Sequence, residues 1–166
     1  MYVSVLQEPR PLERRDDRSR FQSGNTEIDD WFHRFAWQNH QAGNARVFVT
    51  TQEPETLGFY ALSMGAVQRN KLPDALKPGQ RPEPCPVLLL ARLAVDQRAQ
   101  GRGIGAALLK DALLRAYKLS NEVGFAALLV HCANDQAREF YLRQSSQFVS
   151  CPGANNHLML PLRALR

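Results

Sequence analysis

Three glycines, at 101, 103 and 105, fall inside the run Gln100-Gly101-Arg102-Gly103-Ile104-Gly105, just after an almost continuously apolar segment and just before a helix-forming one. Glycine lets a chain turn tightly and approach a ligand without Cβ interference. The unpaired amides at the start of the following helix, with the positive end of its dipole, form an anion site. A pyrophosphate cradle follows from these residue types alone. A P-loop would need Lys and Ser or Thr after the last glycine, where this chain has Ala106 and Ala107. A dinucleotide fingerprint would need GxGxxG opening a βαβ repeat, and the spacing here is GxGxG. A glycine-rich turn with no ligand is the plainer alternative.

Other chemistry is thinly represented. Cys85, Cys132 and Cys151 are odd in number and lack CxxC spacing, which argues against a disulfide framework or a zinc site. Buried free thiols are expected instead. His33, His40, His131 and His157 are scattered, so no metal is expected. The net charge of +5 suits a polyanionic partner, whether coenzyme or nucleic acid, and equally a solvated surface. Five arginines between Arg10 and Arg20 are diluted by Glu13, Asp16 and Asp17. Arg92 interrupts the apolar strand, and a buried guanidinium must find a partner; it is read as a structural ion pair or a reach into an acceptor cleft, with the structural role favoured.

The elements that must position these residues can be traced along the chain. Its 166 residues suit one domain with one core, residues 1–166. No apolar run approaches the ~20 residues of a membrane helix, and the charged start has no signal-peptide core, so a soluble cytoplasmic protein is expected. Thr26 is read as the cap of a helix carrying Ile28, Trp31, Phe32, Phe35 and Ala36, ended by Gly43. Strands at 46–51 and 57–67 flank the turn Gln52-Glu53-Pro54-Glu55. Residues 71–86, with Pro73, Pro78, Pro82, Pro84 and Pro86, read as an ordered irregular excursion. A central strand at 87–95, buried on both faces, leads into the glycine turn and a helix marked by Ile104, Leu108, Ala112, Leu113 and Tyr117. Strand 125–131, helix 134–144 and strand 158–162 follow. The expected architecture is α/β, a mixed central sheet flanked by helices.

Gln100-x-x-Gly103-x-Gly105 after Leu93-Ala94-Val95-Asp96 resembles the acetyl-CoA signature of the GNAT acetyltransferases, and the resemblance implies the GNAT fold. It implies that the turn, from Gln100 through Gly101, Arg102, Gly103 and Ile104 to Gly105, holds the pyrophosphate of acetyl-CoA. It implies that backbone groups of Leu93 and Val95 pair with the pantetheine arm where the strand splays from its neighbour. LLVHCANDQAREFYLRQ resembles the family's next strand and helix, with Asn134 facing the cofactor and Tyr141 near its sulfur. One departure is visible: the Gly-Phe pair that usually follows is replaced by Gln144-Ser145-Ser146-Gln147-Phe148.

The segments 17–24, 28–32, 45–49, 58–62 and 86–96 resemble the GNAT toxins of bacterial toxin–antitoxin pairs, nearly the whole chain being covered. That resemblance implies acetylation of the α-amino group of aminoacyl-tRNA, a block on translation, a ribbon-helix-helix antitoxin partner and a homodimer, with no DNA binding by the enzyme itself. The chemistry agrees. An α-amino group titrates near ~7.7–8.0 against ~10.4 for lysine, so it needs little help from a general base. The departing thiolate benefits from a proton donor, which Tyr141 can be. Arg69, Lys71, Lys77 and Arg81, with Arg18 and Arg92, are candidates for tRNA contacts. Two other classes remain: a GNAT enzyme acting on a small amine or a protein amine, and a catalytically silent GNAT-fold binding module.

Overall fold

The computed structural model describes residues 4–79 and 81–165. In chain order the elements are β1 (Arg10–Pro11), α1 (Thr26–Arg34), α2 (Ala36–Ala42), β2 (Arg46–Gln52), β3 (Glu55–Val67), β4 (Cys85–Val95), α3 (Ile104–Leu119), β5 (Ala127–His131), α4 (Asp135–Gln144), β6 (Val149–Cys151) and β7 (Ala154–Pro161). The strands make one mixed sheet in the order β1-β2-β3-β4-β5-β7-β6. β4 and β5 run parallel, as a helical crossover between them requires, whereas β1–β2, β2–β3, β5–β7 and β6–β7 are antiparallel. The expected α/β class holds.

The chain divides into two compact units, residues 1–62 with 92–112 and residues 63–91 with 113–166. The first is organised by aromatic rings. Phe32 stacks on Phe59 with centroids 4.0 Å apart, Phe21 meets both rings edge-on, and Trp31 lies parallel to Phe59. Of the aromatic positions on the first helix, Phe32 and Trp31 are therefore core packing, whereas Phe35 is exposed. The second unit is built on Leu72, Leu76, Val87, Ala127, Leu129 and Met159. Leu72 and Leu76 explain why the proline-rich excursion is ordered: two fully buried leucines pin it to the sheet.

Several local expectations change. The first helix is capped by Asn25, whose side chain accepts the Ile28 N–H at 3.1 Å, and Thr26 is its first helical residue. It breaks at Phe35 (φ −121°, ψ −17°) into α1 and α2. Gly43 closes α2 at φ +80°, the left-handed conformation glycine tolerates. Tyr117 is exposed, and the buried face of α3 runs through Ile104, Leu108, Leu109, Ala112 and Ala116. The short strands β1 and β6 carry too few residues for a periodic signal and were not anticipated.

Candidate active site: an open glycine turn and a buried tyrosine

The glycine turn follows the C-terminal end of β4. The register of β4 with β5 covers Leu88–Leu90 against Leu128–Val130. Leu93 and Val95 lie beyond that register and are only partly buried, so the expectation of a strand buried on both faces holds for the first half of β4 alone. Asp96 then clasps the turn. It is 1% exposed, accepts the backbone amides of Gln22 and Arg98, and pairs with the Arg98 guanidinium at 2.8 Å. Burial alone would push its carboxyl up; the hydrogen bonds from Arg98 and Gln22 outweigh that and hold it below the usual carboxylate range. Gln100 donates its side-chain amide to the carbonyls of Ser23 (2.9 Å) and Val95 (3.0 Å). This glutamine braces the turn, and Arg102 reaches Gln52 at 3.1 Å.

Between these braces Gly101 and Gly103 adopt φ +81° and +78°, and a Cβ at either would meet nothing within 4 Å. These glycines are needed for backbone conformation, and the space around them is open. Ala107 donates to the Gly103 carbonyl at 3.1 Å, so the amides of Ile104, Gly105 and Ala106 lie ahead of the helical ladder. Gly58 contributes in a way the sequence did not disclose. A Cβ there would stand 2.9 Å from Leu108 Cδ1 and 3.3 Å from Ile104 Cγ2, so glycine lets α3 seat on β3. A glycine inside a strand pattern was the available signal.

In the second unit, Asn134 is the N-cap of α4, its Oδ1 accepting the Ala137 N–H at 2.8 Å. It therefore stands just ahead of the helix, with one side-chain oxygen already engaged. Tyr141 is 3% exposed, and its ring packs against Phe140 and Phe148. Its hydroxyl has no hydrogen-bond partner among the described residues. Burial, with the Cys132 thiol nearby, holds it well above the usual phenol range, so it stays protonated at neutral pH. The altered Gln144–Phe148 turn needs no glycine, because Ser145 ends α4 in extended backbone (φ −153°) and Phe148 is buried.

The candidate tRNA-contacting cations fare differently. Arg18 donates to the Phe32 and His33 carbonyls and so closes α1. Arg69 donates to the Arg81 carbonyl, Arg81 to the Leu76 carbonyl, and Lys77 pairs with Asp74 at 3.4 Å, all within the proline-rich excursion. Lys71 enters no ion pair among the described residues. Arg92 makes no ion pair either; its guanidinium lies 4.2 Å over the Trp31 ring, a cation–π contact in place of the expected carboxylate. Burial lowers its pKa, opposed by Glu27. The N-terminal arginines are largely spent on internal pairs, Arg10 with Asp16, Arg15 with Glu13 and Arg20 with Glu55. All three cysteines are free and buried, and burial pushes the Cys151 thiol up to about 11. Among the described residues no three His, Cys, Asp or Glu side chains group as metal ligands, and no helix is long and apolar enough to cross a membrane.

A strand, a glycine turn with open amides, and a helix make the β4–α3 core of an acetyl-CoA fold, and residues 43–144 match the acetyltransferase (GNAT) domain family. The chain belongs to the GNAT acetyltransferases. More particularly, it is similar to the tRNA-acetylating toxin of Mycobacterium tuberculosis, 40% identical over 164 residues, which cover 99% of this chain and 97% of that one. Among solved structures, AtaT complexed with acetyl-methionyl-tRNAfMet superposes with a TM-score of 0.86 at 26% identity, covering 97% of each chain. A tyrosine-to-phenylalanine mutant of AtaT, bound to the C-terminus of the antitoxin AtaR and acetyl-CoA, superposes with a TM-score of 0.78 at 25% identity, covering 97% of this chain and 96% of that one.

Proposed function

We propose that this chain is a toxin that transfers the acetyl group of acetyl-CoA to the α-amino group of an aminoacyl-tRNA and so blocks translation. The observation that carries the reading is its likeness, along almost its whole length, to a toxin named for acetylating tRNA. The amides of residues 101–106 receive the pyrophosphate, and backbone groups of Leu93 and Val95, beyond the β4–β5 register, receive the pantetheine arm. The neutral amine attacks the thioester carbonyl, the C–N bond forms and the C–S bond breaks. Tyr141 gives its proton to the leaving thiolate, and the proton shed by the new amide nitrogen restores the balance. Asn134 serves by fixing the start of α4, the helix that carries this tyrosine. Arg92 and Lys71 are the cations left to meet RNA.

The whole of residues 1–166 acts as one acetyltransferase domain, as a homodimer in the cytoplasm. A ribbon-helix-helix antitoxin is its partner; AtaT bound to part of its antitoxin supports such a pairing. The test is expression in bacteria, where the active chain arrests growth and Tyr141→Phe relieves it. Growth unaffected by the active chain, with free polyamines or peptides turning over, would replace the toxin reading by that of a small-amine acetyltransferase.

A further inference from the structure

The second unit contains a cavity of about 380 Å³, and of its lining residues only Lys71 has a functional role above. It lies among the end of β3, the turn after it, β5 and the β6–β7 hairpin. His131 and His157 are cross-strand partners in the β5–β7 register, and their rings stack with centroids 4.2 Å apart and planes 12° from parallel. Lys71 and Gln68 also line it, and the cross-strand pair Leu129 and Met159 forms an apolar floor. No Asp or Glu is among the described lining residues. The volume falls within the ~300–1,000 Å³ of small-ligand sites.

Each feature narrows the occupant. A flat imidazole stack offers a face for another planar π-system, the means by which proteins hold unpaired bases. A lone ammonium without a carboxylate partner suits one phosphate. Together they describe a nucleotide with a single phosphate, next to an apolar floor. We propose that this cavity holds the 3′-terminal nucleotide of the acceptor strand, its base against the His131–His157 stack and its 5′-phosphate on Lys71. The inference rests on the aminoacyl-tRNA reading above. The adenosine of coenzyme A shares the nucleotide chemistry but carries three phosphates, which one lysine would leave largely unmatched.

The probe is a 5′-phosphorylated CCA trinucleotide, titrated at low salt against the full chain, with acetyl-CoA affinity measured in parallel by calorimetry. Removing a stacking face by His157→Ala should weaken trinucleotide binding about tenfold. His157→Phe restores a flat face and should bring it back to within about threefold of the wild type. Lys71→Met should weaken binding and flatten its salt dependence by about 0.7 in log–log slope. Acetyl-CoA affinity should stay unchanged throughout. Equal trinucleotide affinity in all four proteins, while the wild type still acetylates charged tRNA, overturns this inference and leaves the functional reading standing. Lost acetyl-CoA affinity in the variants also overturns it, by giving the cavity to the cofactor's nucleotide. If the wild type acetylates no charged tRNA, the functional reading fails, and the trinucleotide series still decides whether the cavity is a nucleotide site. Lys71 is exposed, so Lys71→Met decides between these outcomes even if His157→Ala folds poorly.

Discussion

β4 into α3 and β5 into α4 are both a strand that leads into a helix, yet the two helix starts are finished in opposite ways. At α4 the cap is filled: Asn134 turns its side chain onto the Ala137 amide. At α3 the turn is made by Gly101 and Gly103 in left-handed backbone, and the amides of Ile104, Gly105 and Ala106 stand ahead of the helical ladder with no side-chain cap. A capped helix start serves stability and an open one can serve a ligand. The first helix thus offers backbone amides, and the second offers one side chain, the unpartnered hydroxyl of Tyr141.

The sharpest break of this comparison falls on the second helix. Tyr141→Phe removes only an oxygen and should lower kcat by about 10²–10⁴-fold, leaving acetyl-CoA affinity nearly intact. Equal loss of affinity and turnover would make the residue a packing aromatic. Because its hydroxyl is held above the usual phenol range, the alkaline side of the pH–rate profile should stay level to about pH 10. The acid side should rise through the titration of the acceptor amine, near ~7.7–8.0.

On the first helix, backbone strain and ligand crowding can be told apart. Gly103→Asn keeps a residue that tolerates positive φ and places a side chain where the pyrophosphate would lie. Calorimetry should then find acetyl-CoA affinity reduced on the order of 100-fold, with the melting temperature within a few degrees of the wild type. Retained affinity in that folded variant would leave the open turn without a ligand.

Smaller effects sharpen the structural half. Asp96→Asn loses the charged partner of Arg98 and should cost about 2 kcal/mol of stability by chemical denaturation. The wild-type carboxyl is held below its ordinary value, so its stabilisation is present above about pH 4 and lost as pH falls through the folded-state value. The mutant should lack that acid dependence. Asn134→Ala should cost about 1 kcal/mol, a melting shift of roughly 2–4 °C, with acetyl-CoA affinity unchanged if capping is its whole role.

The glycine turn, the apolar strand before it and the tyrosine seven residues after Asn134 were legible in the sequence because each is written in consecutive residues with a strong local signature. The mixed sheet followed from the alternation of strand and helix patterns. What stayed hidden depends on distant partners. Arg92 looked like half of an ion pair, and only the fold brings it over Trp31. The arginine-rich start was visibly diluted by acids, but only the fold sets the partners, Arg10 with Asp16 and Arg20 with Glu55. Likewise His131 and His157, 26 positions apart, become neighbours through strand register alone.

The central claim is the acceptor. Incubating the protein with labelled acetyl-CoA and total charged bacterial tRNA tests it most directly. Label should enter the RNA and be released by mild base as an N-acetylated amino acid. Incorporation should fall steeply as salt rises, because phosphate contacts dominate RNA affinity. Charged tRNA that stays unlabelled for every amino acid, while free amines accept the acetyl group, would contradict the account.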